Sequence, residues 1–348
     1  MDIKLEIKKY VPEIEQAMLK VLPKKYDKDA IARTVGQINY KVDLQAVNGG
    51  VNEPVWELLD RGGKRWRPAL MLMVYEALGK NYKEILDFTA IVELVHNGTL
   101  LVDDIEDDSL ERRGKKCIHL LYGLDIAVNA GNAIYFIPLN TIMKSDLPSN
   151  LKSRLYEVYL TEMINVSIGQ ATDIYWHKGL KEEVSEEEYL QMVSFKTGCL
   201  SRMACKLSAV LAGAGEETIK VLGEYGESLG IAFQIQDDIL NLIADVEYGK
   251  EIGGDISEGK RTLMTIHALK HSAKAKRLRE ILDLHTKDQV LIEEAIKIIS
   301  DAGSIEYAKK KAIELATKTW EKVEKTLSEG SGTQKLKALT DYLITRTY

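Results

Sequence analysis

Acidic side chains crowd one short stretch of this chain. Asp103, Asp104, Glu106, Asp107 and Asp108 fall within LLVDDIEDDSL, and Arg112 and Arg113 follow almost at once. On a helix, positions three and four apart share a face, so Asp103, Asp104 and Asp107 can aim at one point. Like charges at that spacing cost a helix about 0.2–0.5 kcal/mol per pair, so a cation is needed to compensate. A second acidic step, Asp237–Asp238 with Asn241 four residues after the first, interrupts the apolar stretch FQIQDDILNLI. An unpaired carboxylate is expensive to bury there. One such step is easily a solvated helix end, whereas two on separate helices point to a shared cation. Oxygen ligands with no histidine or cysteine at metal spacing select Mg²⁺, Mn²⁺ or Ca²⁺ over zinc. An EF-hand fits poorly, because a loop starting at Asp103 or Asp104 lacks the sixth-position glycine and the closing glutamate.

Mg²⁺ is typically held by a few carboxylates and the phosphates of its substrate, so cationic groups belong nearby. RGGKRWRP, Arg61 to Pro68, places Lys64, Arg65 and Arg67 at a helix start, a favourable position for phosphate. It lacks Walker spacing. Arg112 and Arg113 follow the first acids. Lys196-Thr197-Gly198 lies inside a helical pattern, where glycine costs about 1 kcal/mol relative to alanine. A threonine hydroxyl bonding back to a carbonyl would open the helix there. The loop Ala244 to Thr262 interleaves Gly249, Gly253, Gly254 and Gly259 with Lys250, Asp255, Lys260 and Arg261, a composition that favours an anion. Taken singly, each is a solvated surface charge. Together with two acidic steps they describe a Mg²⁺–diphosphate enzyme.

The elements that must position these groups read almost entirely at helical period. Apolar residues recur three and four apart in Ile7–Leu19, Leu70–Leu78, Leu86–Leu101, Leu151–Ile174, Tyr189–Leu211, Ile219–Ile243, Val290–Ile299 and Ile305–Val323. Sustained alternation is scarce, so the fold class is all-α, and no linker or repeat divides residues 1–348, which read as a single domain. Pro138 falls inside a helical pattern and should bend it. The 348 residues are 45% hydrophobic and 29% charged, as in a soluble globular protein. A formal charge of -6 argues against a nucleic-acid binder that works by bulk basicity. Cys117, Cys199 and Cys205 form no CxxC pair, and the N-terminus has no signal-peptide core, which points to a reduced, cytoplasmic compartment. The longest apolar window, Ile126 to Met143, is broken by three asparagines, a glycine and Pro138, and suits a buried helix better than a membrane span.

In order and spacing, GGKRWRP, ELVH at Glu93–His96, LVDDIEDDSLERRGK, GQATD at Gly169–Asp173, KTG, FQIQDDILN and GKEIGGDISEGKRTL span residues 61–263. With these motifs the chain resembles the trans-isoprenyl diphosphate synthases (polyprenyl synthases), particularly geranylgeranyl diphosphate synthases. The resemblance implies a helical bundle around a deep central cavity, usually as a homodimer. It implies head-to-tail condensation of isopentenyl diphosphate with an allylic diphosphate, using three Mg²⁺, with Mn²⁺ as a substitute. Asp103, Asp104 and Asp107 on one wall, and Asp237 with Asp238 on the other, are its metal ligands. Arg112, Lys196, Gln234, Lys250 and Lys260 match the allylic diphosphate contacts. Lys64, Arg67, His96 and Arg113 match the isopentenyl diphosphate site. Thr197 is similar to the family threonine beside the reacting carbons, and Gln170 and Asp173 to supporting polar residues. Asn241 stands where many members carry a third aspartate.

In the family, side chains a turn or two before the first aspartate cap the growing tail. Here they are Gly98 and Thr99, both small, so a twenty-carbon product is expected, with twenty-five carbons or more as the alternative. A Gly98→Phe change is expected to shorten it. A terpene cyclase would not need the second diphosphate site. A non-catalytic subunit of a heteromer typically has degraded acidic motifs, and these are intact.

Overall fold

Helices form wherever apolar residues recur at helical spacing, and the depth of each apolar stripe sets which helices lie inside. The computed structural model describes residues 1–243 and 253–345. The chain divides into two units, Met1–Val158 with Leu207–Ala214 and Tyr159–Lys206 with Gly215–Tyr348. Among the described residues the strand content is a single two-residue ladder, so the all-α expectation holds.

In the first unit, α1 (Ile3–Val21) starts on Asp2, whose carboxylate accepts the backbone N–H groups of Lys4 and Leu5. α2 (Trp66–Ala77) is buried on every side from Trp66 to Tyr75, and Pro68 sits in its first turn, where no intrahelical N–H is lost. α3 (Thr89–Glu106) buries Ile91, Val92, Leu94 and Val95 and then carries the first acids at its C-terminal end. The strands β1 (Glu111–Arg112) and β2 (Lys115–Lys116) pair antiparallel just after it. α4 (Leu124–Phe136) follows. Pro138 does more than bend this helix: α4 stops at Phe136 and a 3₁₀ turn, Ile137–Leu139, takes over. Two stretches are long and apolar enough to cross a membrane, Tyr82–Glu106 and Leu124–Met143. The apolar window of the first is 67% buried inside the protein, as in a core helix, and that of the second is 33% buried.

α5 (Ser149–His177) carries the chain from the first unit into the second. α6 (Glu186–Val193) opens with a capping box of Ser185 and Glu188. A π-helical turn, Ser194–Gly198, joins it to α7 (Cys199–Leu211). α8 (Glu216–Ile243) packs along α13 (Ser304–Thr326). Between them in sequence come α9 (Gly254–Ser257), α10 (Leu263–His271), α11 (Ala275–Asp283) and α12 (Gln289–Asp301). Ile231, Ile235, Ile239, Ala308, Ala312 and Ala316 share one core, the alanines letting the long helices approach. Tyr225 donates from this core to the Leu336 carbonyl of α14 (Ser331–Thr345) at 3.0 Å.

Candidate active site

A helix C-terminus is already partially negative, so the acids at the end of α3 are costly twice over. The hairpin supplies the answer. Arg112 Nε donates to Asp104 Oδ1 at 2.6 Å and its Nη2 to Asp103 Oδ2 at 3.4 Å. Burial pushes the Asp104 carboxyl up, against the pull of Arg112. Its Oδ2 is buried and accepts no hydrogen bond among the described residues, an oxygen with lone pairs to give to a cation. Asp107 ends the helix, its N–H donating to the Asp103 carbonyl at 2.9 Å. Among the described residues no three acid, histidine or cysteine side chains form a ready-made cage. Oxygen donors of this kind fit a hard divalent cation, which can complete its shell from water and phosphate.

Arg113 and Gly114 both have positive φ, 54° and 72°, as a two-residue type I′ hairpin turn requires. Arg61 braces this turn by donating to the carbonyls of Arg112 at 2.9 Å and Lys116 at 3.0 Å. Arg113 then reaches inward, Nη2 to Asn97 Oδ1 at 3.2 Å and Nη1 to the Leu58 carbonyl at 3.2 Å. Asn97 Nδ2 donates to Glu93 Oε1 at 2.8 Å, and the same oxygen accepts from Arg65 Nη1 at 2.7 Å. One buried carboxylate thus serves two arginines, leaving a cationic surplus. Arg67 Nη1 lies 3.5 Å from His96 Nε2. Burial first, then the charges of Arg67, Arg113, Arg112 and Arg65, hold the His96 imidazole well below 6.5, so it is neutral at neutral pH. Lys64, next in sequence to Arg65, is exposed. Three arginines and a neutral imidazole in one half-buried place suit a diphosphate.

Gly98 lies where α3 crosses α4. A Cβ there would be 2.9 Å from Tyr135 Cε1 and 3.0 Å from the Gly131 carbonyl oxygen. The small residue is thus required by helix–helix approach, and a ring at 98 would have to displace Tyr135 and α4. Thr99 is half-buried, its hydroxyl donating to the His96 carbonyl at 2.8 Å.

In the second unit, Lys196, Thr197, Gln234, Asp238 and Lys260 line one open cleft, with Asp173, Tyr189 and Arg261. The helix does open at the expected threonine, but not by back-bonding: Thr197 Oγ1 donates across to Gln234 Oε1 at 3.0 Å. The neighbour that the widened turn accommodates is α5. A Cβ on Gly169 would lie 2.3 Å from the Lys196 nitrogen, so the two backbones touch. Lys196 Nζ donates to Asp173 Oδ2 at 2.5 Å, and Gln170 lies half-buried on the same helix. Gln234 Nε2 donates to Asp238 Oδ1 at 2.8 Å, and the Tyr189 hydroxyl to Asp238 Oδ2 at 2.9 Å. Burial, and then repulsion from Asp255, pushes the Asp238 carboxyl up to about 8. Asp237 is half-buried beside it. Asn241 Oδ1 accepts from the Asp255 N–H at 3.1 Å, and its carbonyl from the Gly253 N–H at 2.9 Å. The asparagine in the third acid position therefore holds the start of α9. Lys260 pairs with Glu258 and, at 3.8 Å, with Asp255. Lys250 lies outside the described residues.

Comparison with known proteins gives the family. The Polyprenyl synthetase family model matches residues 49–299. A geranylgeranyl pyrophosphate synthase of Geoglobus acetivorans is 35% identical over 293 residues, covering 83% of this chain and 89% of that one. A geranylfarnesyl diphosphate synthase of Natronomonas pharaonis is 34% identical over 308 residues, covering 84% and 88%. The solved geranylgeranyl pyrophosphate synthetase from Pyrococcus horikoshii matches with a TM-score of 0.86 and 29% identity, over 99% of this chain and 98% of that one. The chain belongs to the polyprenyl synthetase family and is a trans-prenyltransferase.

Proposed function

We propose that this enzyme condenses isopentenyl diphosphate head-to-tail with an allylic diphosphate (dimethylallyl, geranyl or farnesyl) and releases geranylgeranyl diphosphate. The observation that carries the reading is the Arg65–Glu93–Asn97–Arg113 chain beside His96 and Arg67. It supplies a diphosphate site additional to the one beside the metal carboxylates, as a two-substrate condensation needs. Lys64, Arg67, His96 and Arg113 bind isopentenyl diphosphate, His96 adding a hydrogen bond but no charge. Arg112, Lys196, Gln234, Lys250 and Lys260 bind the allylic diphosphate. Asp103, Asp104 and Asp107, with Asp237 and Asp238, hold Mg²⁺, three per active site, with Mn²⁺ as a substitute. When bound, the metal draws charge from the departing diphosphate. The cationic side chains stabilise the same leaving group as the C–O bond breaks. Thr197 stands beside the carbon that becomes electron-poor, apolar neighbours exclude water, and the double bond of isopentenyl diphosphate attacks. The proton then lost passes to the released diphosphate.

The two units work as one catalytic domain, residues 1–348, in a cytoplasmic homodimer. The exposed apolar residues Leu124, Val128, Phe136 and Met143 support dimerisation. Gly98 and Thr99 leave the tail room for twenty carbons. Because Gly98 is engaged with α4, Thr99→Phe is the cleaner test of tail length, and a product ladder unchanged by it would refute this placement. The second reading, a product of twenty-five carbons or more, is favoured by the likeness to the geranylfarnesyl diphosphate synthase. Purified protein with Mg²⁺, isopentenyl diphosphate and each allylic primer decides both points by chromatography. A twenty-carbon product is expected, and failure to condense any primer would sink the enzyme reading.

A further inference from the structure

Behind Thr197 lies a buried hydrogen-bond chain whose far end is a residue with no part in binding or chemistry so far. Tyr189, on α6, is 1% exposed and donates to Asp238 Oδ2 at 2.9 Å. The other oxygen of Asp238 accepts from Gln234 Nε2 at 2.8 Å, and Gln234 Oε1 accepts from Thr197 Oγ1 at 3.0 Å. Both ends of the Gln234 amide are thereby occupied, which fixes the amide plane. The Thr197 proton is committed to Gln234, and the hydroxyl lone pairs are left for the cleft that all four residues line. An oxygen presenting lone pairs stabilises an electron-poor carbon, and its value depends on being held in place before the reaction.

We infer that Tyr189 is a positioning residue for prenyl transfer, fixing the Thr197 hydroxyl through Asp238 and Gln234. This rests on the condensation reading above. Tyr189 lies on α6, Thr197 on the π-helical turn, and Asp238 and Gln234 on α8, so the chain ties three elements at the one place where the helix is opened. Loss of the Tyr189 hydroxyl strips a buried carboxyl of one of its two donors and frees Asp238 to rotate, taking the Gln234 amide with it.

A double-mutant cycle tests the coupling. Tyr189→Phe is expected to slow turnover about tenfold with Thr197 present, the scale of one buried hydrogen bond, and less than about twofold in a Thr197→Val background. KM for isopentenyl diphosphate should stay unchanged, since Lys64, Arg67 and Arg113 are untouched. Equal losses in both backgrounds, or no loss in either, would overturn the inference. All variants are compared below the melting temperature of the weakest. If Tyr189→Phe does not fold, Tyr189→Met, which also lacks the hydroxyl and adapts its packing, replaces it. Wild-type protein that turns over no primer refutes the condensation reading itself, which is a separate outcome.

Discussion

The end of α3 and the last turns of α8 present the same signal, adjacent aspartates in apolar surroundings, and solve its cost in opposite ways. At α3 a full charge answers: Arg112 reaches from the hairpin to Asp104 and Asp103. At α8 dipoles answer: Tyr189 and Gln234 hold Asp238, with the Lys260 charge as the smaller contribution. Burial raises both carboxyls, but at Asp104 the Arg112 charge opposes the rise, while at Asp238 the Asp255 charge adds to it. Identical residue pairs are therefore unequal before any ligand arrives. The first region is rich in cations and ready for a polyanion; the second holds fixed hydrogen bonds suited to orienting a reacting group.

The largest expected effect breaks the first region. Glu93→Ala removes the one buried carboxylate that serves Arg65 and, through Asn97, Arg113, leaving Arg65 the half-exposed Glu15 at 4.0 Å and the Leu59 carbonyl. Leaving buried Arg65 without its close partner should cost about 3–5 kcal/mol of stability, read by thermal or urea unfolding. A loss below about 1 kcal/mol would mean that water reaches this pair. Next come Asp103→Ala and Asp237→Ala, each expected to cost about 3–4 kcal/mol of transition-state stabilisation, which slows turnover by roughly a hundredfold to a thousandfold. Near-normal turnover in one of them would show that only one acidic region takes part. Gly169→Ala sharpens the second region. Its methyl must push α5 away from the Lys196 backbone, an overpacking cost of about 1–3 kcal/mol. Activity should fall with stability because Lys196 and Thr197 sit on the displaced turn; unchanged activity in a destabilised variant would separate the turn's geometry from the chemistry.

Much of this was legible in the residues. Apolar spacing alone predicts helices over α3, α5, α8 and α13, and the capping box at Ser185 and Glu188 forms as spaced. What periodicity could not show depends on contacts distant in sequence. Arg65 meets Glu93, Thr197 meets Gln234 and Tyr189 meets Asp238 only through packing, so none of these pairings is legible in the spacing. The β1–β2 hairpin is too short to alternate, and its only signal is Gly114 after Arg113. The smallness of Gly98 carries no direction in the sequence; its contact with Tyr135 and Gly131 comes from the crossing with α4. Arg61 was legible as a cation but not as a brace, since its partners are backbone carbonyls.

The smallest effect separates the regions by pH. His96 in the first unit and Glu162, on α5 in the second unit, both have depressed folded-state values, for different reasons. Burial and four arginines disfavour the charged imidazole. Burial alone would raise Glu162, but the bonds from Arg202 at 2.9 Å and the charges of Arg202 and Lys206 overcome it. In both cases the unfolded chain binds the proton first as pH falls, so each group contributes stability above its unfolded value that is lost on acidification. For His96 the loss begins near pH 6.5; for Glu162 it begins near 4.5. Melting temperatures of the substrate-free protein should therefore decline in two steps. His96→Gln should flatten the upper step and leave the lower one, whereas Glu162→Gln should lower stability above pH 4.5 and flatten the lower step. An upper step that persists in His96→Gln would mean that the arginines around this residue do not hold it neutral, and the first region would carry less positive potential than its geometry implies.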